Sequence, residues 1–107
     1  MRNNIIVSKM IVYIDKIFSY SNGYDYQSFS QNTIIVDACV FNLSQLGELT
    51  TKLDKDFTLM HPDVPWNEMR GLRNKIVHDY EGVNLKLVWE IVSEDLPELK
   101  EKLKNIL

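Results

Sequence analysis

Apolar residues return every three or four positions along almost the whole chain, and this spacing limits the fold more than any other feature of the sequence. Spacing of this kind places the apolar side chains on one face of an α-helix. No segment carries the alternation and turn residues that signal a β-hairpin. The sequence therefore predicts an all-α fold, an up-and-down bundle of four or five helices with short connections.

Composition limits the class of protein. The 107 residues suit one domain, 1–107, and 45% hydrophobic with 25% charged residues is typical of a globular chain. No apolar run reaches the roughly 18 residues that cross a bilayer, and the N-terminal stretch is too polar for a secretory signal. We therefore expect no membrane partner. Cys39 is the single cysteine, so no intrachain disulfide can form, and we expect a cytoplasmic protein. The net charge of −3 means that any RNA contact needs a local basic patch.

Two long helices are expected in the first half of the chain. The first ends at Ser21-Asn22-Gly23, and its apolar arc is wide enough to contact more than one neighbour, including a second subunit. The second runs from about Asn32 to Leu53, and Ser28-Phe29-Ser30-Gln31 before it matches a weak capping box. Gly47 interrupts this helix at a cost of about 1 kcal/mol relative to alanine. That cost indicates that another backbone approaches closely at Gly47.

Two further helices are expected in the second half. One begins at Pro65, because proline suits the first helical turn, and runs to about His78 before Glu81-Gly82 breaks it. Asn84 can cap the last helix. Pro97 lies inside that helix and should kink or restart it, because proline has no backbone N–H to donate.

The segment Arg73-Asn74-Lys75-Ile76-Val77-His78 carries the residue types needed to act on a phosphodiester. The guanidinium of Arg73 can clamp a phosphate with two parallel hydrogen bonds, and His78 can move a proton near neutral pH. The phenol of Tyr80 follows two positions later. On one continuous helix, Arg73 would lie within the apolar stripe and about 7.5 Å from His78 along the axis, so both could touch one phosphate. A charge in such a stripe needs a partner or a polar groove.

Two neighbouring residues could support this pair. Asn74 precedes His78 by one helical turn and could hydrogen-bond its imidazole. Glu48 lies on a polar face of the second helix, which is either a solvated stripe or the surface that pairs Glu48 with Arg73.

Each of these residues also has a simpler structural explanation. His78 could stabilise the dipole at a helix C-terminus, and Arg73 could form a structural ion pair with Glu48 or with another subunit. Tyr80 could be a core residue. His61 lies in a proline-rich loop, and we expect it to be structural.

The ten residues from Gly71 to Tyr80 resemble the signature of HEPN domains in the HepT-like toxin group. In that group Arg-Asn opens the motif, four residues separate the arginine from the histidine, and a tyrosine follows two positions after the histidine. The sequence matches this pattern at each position. The resemblance covers most of the chain, roughly 28–107. The flanking segments that also look similar are Leu46-Gly47-Glu48, Pro65-Trp66, Gly82-Val83, Val88-Trp89-Glu90-Ile91-Val92 and Asp95-Leu96-Pro97.

The resemblance implies an all-α HEPN domain that acts as a metal-independent endoribonuclease without a cofactor. Proteins of this group form two-fold homodimers that bring two Arg–His motifs into one cleft. They are toxins encoded beside a minimal nucleotidyltransferase antitoxin, which in some pairs transfers nucleotides onto the motif tyrosine, here Tyr80. The expected partners are therefore RNA, the antitoxin and a second copy of the chain.

The chemistry of the residues agrees with that role. RNA carries its own nucleophile, the 2′-hydroxyl, so one proton-transfer group and one charge stabiliser can suffice. His78 would move the proton, Arg73 would stabilise the pentavalent phosphorus, and Asn74 would orient His78 or the phosphate. Arg70 and Lys75 would bind the RNA backbone. The chain has two histidines, one cysteine and no His-x3-His pair, so no metal site is expected.

Two other functions fit the same residues. In the first, the bundle is a catalytically idle binding module that docks a nucleotidyltransferase or a nucleotide, and RNA cleavage by the partner-free protein would argue against it. In the second, the bundle is a structural helical dimer with Arg73 as an interface ion pair. That function would be favoured if Arg73→Ala unfolded the protein while His78→Ala had no effect.

Overall fold

The computed structural model describes residues 2–78 and 82–107, with the backbone alone at 77 and 78. Helices dominate these ranges, and the all-α prediction is confirmed. None of the helices described is both long enough and apolar enough to cross a bilayer. The elements in chain order are α1 (Arg2–Ser21), α2 (Tyr26–Gln31), α3 (Thr33–Thr51), α4 (Lys55–Leu59), α5 (Trp66–Arg70), α6 (Leu72–Ile76), β1 (Val77–His78), β2 (Gly82–Val83), α7 (Leu85–Glu90), a π-helical turn (Ile91–Asp95) and α8 (Leu96–Ile106).

The centre of the bundle is the pair of long helices α1 and α3. The buried face of α1 packs against α3 on one side and against α8 and the π-helical turn on the other. The prediction that the wide apolar arc contacts more than one neighbour is confirmed, and these neighbours belong to the same chain. Of this helix, Ile5 and Val12 are the large apolar residues that stay exposed. The buried residues of α1 are Ile6, Val7, Met10, Ile14 and Ile17.

The entry to α3 differs from the predicted capping box. Ser28 belongs to the short helix α2, where its backbone N–H donates to the Asp25 carboxylate at 2.8 Å. That hydrogen bond, with a second one from the Ser28 hydroxyl, lowers the pKa of Asp25. Asn32 caps α3 instead, and its side-chain oxygen accepts from the Ile35 N–H at 3.1 Å. The predicted box from Ser28 was wrong, because Asp25 already engages that hydroxyl in a box of its own.

Gly47 is the point where α3 meets α5 and α6. A Cβ atom at this position would lie 2.9 Å from the carbonyl oxygen of Met69 and 3.9 Å from that of Arg70. The predicted close approach of another backbone is therefore confirmed. This contact sets how near the helices that carry the Arg–His segment can come to the core.

The predicted helix from Pro65 to His78 is broken in two places. Gly71 separates α5 from α6, because glycine is a weak helix former and here adopts φ −92° and ψ 5°. The chain then leaves the helix at Val77, and β1 pairs antiparallel with β2 in the register Val77 to Val83 and His78 to Gly82. This ladder of two residue pairs was not predicted from the sequence. Val77 and Val83 suit a strand, but Gly82 is of a type that strands disfavour, so the local composition did not predict the ladder.

The last helical segment is interrupted just before Pro97. Asn84 caps α7 as predicted, its side-chain oxygen accepting from the Leu87 N–H at 3.2 Å. A π-helical turn follows, and the Leu96 N–H bonds the Ile91 carbonyl five residues back. Proline has no N–H and its ring crowds the preceding turn, so a widened turn lets the helix restart as α8. Of the two predicted effects of Pro97, a kink or a restart of the helix, the structure shows a restart, with α8 beginning one residue earlier, at Leu96.

Replacing Gly47 by alanine should destabilise the fold. The new methyl group would overlap a backbone carbonyl that cannot rotate away, so we expect a loss of about 1–3 kcal/mol in the free energy of unfolding. Gly71→Ala is the matched control, because a Cβ atom there meets only ordinary contacts at 3.8 and 3.9 Å. Urea unfolding followed by circular dichroism measures both variants. Equal midpoints for Gly47→Ala and the wild type would contradict this account of the contact.

Candidate active site

The Arg–His segment begins on α6, a helix of only five residues. Leu72 and Ile76, its first and last residues, are buried in the core. The three polar residues between them, Arg73, Asn74 and Lys75, are exposed. Because both ends of the helix are anchored by apolar side chains, its polar middle is held at a defined place on the surface.

The prediction that Arg73 lies within an apolar stripe was wrong. The prediction assumed one continuous helix from Pro65. The break at Gly71 changes which residues face the core, so that Leu72 is buried and Arg73 is exposed. The predicted axial distance of about 7.5 Å between Arg73 and His78 no longer applies, because it assumed a continuous helix. His78 lies on a strand, where each residue rises about 3.3 Å rather than 1.5 Å. An exposed guanidinium can meet a large, flexible anion such as RNA without the cost of burying a charge.

Glu48 is exposed on α3. Among the ion pairs formed by residues 2–78 and 82–107, none joins Glu48 to Arg73. In a single chain, Glu48 therefore belongs to a solvated polar stripe, the first of its two interpretations.

Basic charge is concentrated around α5 and α6. Arg70, Arg73 and Lys75 are exposed, and Glu68 is the one acidic residue between Trp66 and Ile76. Three positive charges against one negative charge leave two net positive charges on this segment, in a chain whose net charge is −3. Arg70 is oriented by Asn67, whose side-chain oxygen accepts from the guanidinium at 2.8 Å. The segment therefore has the local basic character that an RNA contact requires.

His78 lies on β1, where its backbone is paired with Gly82. The predicted roles of its imidazole, including the hydrogen bond from Asn74, concern a side chain outside the described part of the structure. Tyr80 also lies outside the described residues. What the structure does establish is the support of the strand: the Asn84 N–H donates to the Ile76 carbonyl at 2.8 Å, directly beside the ladder. The end of α6 and the start of α7 are thus joined at the strand that carries His78.

His61 is bound into the packing around Trp66. Its ring centroid lies 4.8 Å from that of Phe57, and its carbonyl accepts from the Trp66 indole N–H at 2.9 Å. The same N–H also bonds the Thr58 carbonyl at 3.1 Å. These contacts support the structural role expected for His61.

The described structure adds no other reactive centre. Burial raises the pKa of the Cys39 thiol to about 11, so the thiol stays protonated at neutral pH and is a poor nucleophile. Within residues 2–78 and 82–107, no group of three or more His, Cys, Asp and Glu side chains could hold a metal ion. An apolar cavity of about 310 Å³ between α5–α6 and α7–α8 reaches Lys75 but is not lined by Arg73. The exposed Arg73 surface remains the best candidate site.

A protein-family model matches most of this chain. The family model described as "Ribonuclease HepT-like" matches residues 10–106. No solved structure gives a significant match to this chain.

Several relatives of this chain carry ribonuclease names. A protein of Caldanaerobacter subterraneus subsp. tengcongensis named "Putative RNase" is 36% identical over 85 residues, which are 79% of this chain and 76% of the relative. A Methanocaldococcus jannaschii protein named in the same way is 33% identical over 98 residues, 92% of this chain and 84% of the relative. A Thermococcus cleftensis protein named "Probable ribonuclease HepT" is 38% identical over 69 residues, 64% of this chain and 63% of the relative.

The free energies of unfolding of variants at two adjacent residues, Arg73 and Leu72, should distinguish a surface residue of the site from a residue of the core. Arg73 is exposed, so Arg73→Ala should change the free energy of unfolding by less than about 0.5 kcal/mol. Leu72→Ala removes a buried side chain and should cost about 2–5 kcal/mol. Urea unfolding measures both. A loss for Arg73→Ala as large as that for Leu72→Ala would favour the structural ion pair over a binding role.

Proposed function

This chain belongs to the ribonuclease HepT-like family, and we propose that it is a metal-independent endoribonuclease that cuts RNA with Arg73 and His78. The observation that carries the proposal is the placement of Arg73. It is exposed on a short, doubly anchored helix that leads directly into the strand of His78, within a segment of net positive charge. A core arginine or a structural ion pair would not need such a position.

The proposed reaction uses the nucleophile of the RNA itself. His78 accepts the proton of a 2′-hydroxyl, whose oxygen attacks the adjacent phosphorus. Arg73 stabilises the extra negative charge on the pentavalent phosphorus. The bond to the 5′-oxygen then breaks and that oxygen takes up a proton, which leaves a 2′,3′-cyclic phosphate and a free 5′-hydroxyl. Asn74 orients His78 or the phosphate, and Arg70 and Lys75 bind neighbouring phosphates.

We also propose that the active form is a two-fold homodimer. The apolar surface that supports it lies on α3, where Ile34 is 80% exposed and Phe41 is 60% exposed. These two residues are seven positions apart, and Glu48 is seven further, so all three share one face of the helix. An interface over this face would bury the apolar residues and bring Glu48 towards the second copy. Glu48 could then support the active site across the dimer.

The biological role that we propose is that of a toxin in a toxin–antitoxin pair. A minimal nucleotidyltransferase antitoxin would neutralise the protein by binding it or by transferring nucleotides onto Tyr80. A nucleotide on this tyrosine would place negative phosphate near the motif and occupy the position meant for RNA. The support for this role is the resemblance of the motif and the family membership of the chain.

The first test of this function is cleavage of RNA by purified protein free of any partner. His78→Ala and Arg73→Ala should each abolish cleavage while the melting temperature stays within a few degrees of the wild type. Arg2→Ala is the matched control, because Arg2 is an exposed arginine paired with Asp54 on another part of the surface. A chelator should leave the rate unchanged. Full activity of His78→Ala, or loss of activity with the chelator, would refute the mechanism.

The regulation can be tested by mass spectrometry after co-expression with a cognate minimal nucleotidyltransferase. We expect the intact protein to gain one or more nucleotide masses, and Tyr80→Phe to remain unmodified and toxic. Tyr26→Phe, at a tyrosine that is 40% exposed, is the matched control and should still be modified. An adduct on another residue, or none at all, would count against Tyr80.

The dimer can be tested by light scattering at micromolar concentration. We expect a stable dimer with an interface above about 1,000 Å², and Phe41→Glu should dissociate it and remove ribonuclease activity. Val12→Glu is the control, because Val12 is similarly exposed, at 53%, but lies on α1. A fully active wild-type monomer would overturn the proposal. Dissociation by Val12→Glu alone would move the interface to α1.

A further inference from the structure

Gly82 has a backbone conformation that other residues rarely adopt. Its φ angle is +82°, in the left-handed region, and it stands in β2 directly opposite His78. A Cβ atom at this position would meet nothing within 4 Å. The requirement for glycine is therefore conformational, because space for a side chain is present.

The ladder at Gly82 is anchored from the α7 side. Asn84 caps α7 with its side chain and donates its backbone N–H to the Ile76 carbonyl at 2.8 Å. Val83 is half-buried and packs against the core. Hydrogen-bonded pairs alternate along an antiparallel ladder, so the bond at Ile76 and Asn84 makes His78 and Gly82 the next bonded pair. Gly82 is thus the described residue whose backbone pairs with that of His78.

From this geometry we propose that Gly82 is a positioning residue for the ribonuclease reaction. Its left-handed conformation lets the chain close the ladder onto His78 and so fixes the position of the His78 backbone relative to Arg73 on α6. This inference rests on the proposed function, because it assigns to Gly82 the placement of the proton-transfer group. Gly82 itself touches no substrate in this scheme.

Apart from the Asn84–Ile76 hydrogen bond and the packing of Val83, the register of the ladder depends on its own residue pairs. The ladder pairs only two residues of each strand, Val77 with Val83 and His78 with Gly82. A slip by one residue in a β-ladder turns each side chain to the opposite face. An L-residue at position 82 would favour negative φ, open this pair and release the backbone of His78 while leaving the helical core in place.

The chain contains an unusually close control. Gly23 has a φ angle of +83°, and a Cβ atom there would also meet nothing within 4 Å. It lies in the turn between α1 and α2, on a different part of the chain from the Arg–His segment. Gly23→Ala therefore imposes the same backbone strain as Gly82→Ala without touching the ladder.

The test compares melting temperature, kcat and KM for these two variants on an RNA oligonucleotide. We expect similar shifts in melting temperature, but a fall in kcat of at least about tenfold for Gly82→Ala alone, with KM little changed, because misplacing a proton-transfer group slows the chemical step. Gly82→Asn should recover part of the lost kcat, since asparagine tolerates the left-handed region better than alanine. That recovery also decides the matter if Gly82→Ala fails to fold.

The possible outcomes separate this inference from the proposed function. Active wild type with equal kcat for Gly82→Ala and Gly23→Ala would overturn the role of Gly82 alone. A rise in KM with unchanged kcat would also overturn it, because that result indicates a binding role. A wild-type protein that does not cleave RNA would refute the proposed function, and the inference with it.

Discussion

The contact between Gly47 and the Met69 carbonyl is the constraint on which the placement of the site depends. At this point a backbone packs directly against the central helix α3, in a space where a methyl group would not fit. The close approach lets Leu72 and Ile76 reach the core from so short a helix as α6. Once both are buried, the residues between them must face outward, and Arg73 is among these.

The elements of the site are too short to be stable alone. Helices of five residues and a ladder of two pairs cannot repay the entropy of ordering their backbones by local hydrogen bonds. Their stability must come from the neighbours, through the buried ends of α6, the Asn84 bond to Ile76 and the packing of Val83. Because the site depends on the core in this way, a substitution at Gly47 or Leu72 should alter the position of the Arg–His segment, although neither residue belongs to it.

A site on such short elements suits a reaction that requires only two groups from the protein. In the proposed reaction RNA supplies the nucleophile, and the protein brings one cation and one proton-transfer group to a phosphate. An exposed basic segment on an acidic chain can attract RNA locally while the rest of the surface repels it. In the proposed dimer, a two-fold cleft would enclose the phosphate from both sides.

The sequence by itself determined the long helices, the caps and the chemistry of the motif. Helical spacing located α1 and α3, Asn84 and Pro97 marked the start and restart of the last helical segment, and Gly47 indicated a close approach, because each is a local property or carries a local cost. The tertiary structure alone decided the break at Gly71, the ladder at Gly82 and the outward direction of Arg73. Periodicity places a residue only while the helix continues. At a glycine, two backbone conformations can have similar free energies, and packing against the core then determines which one forms.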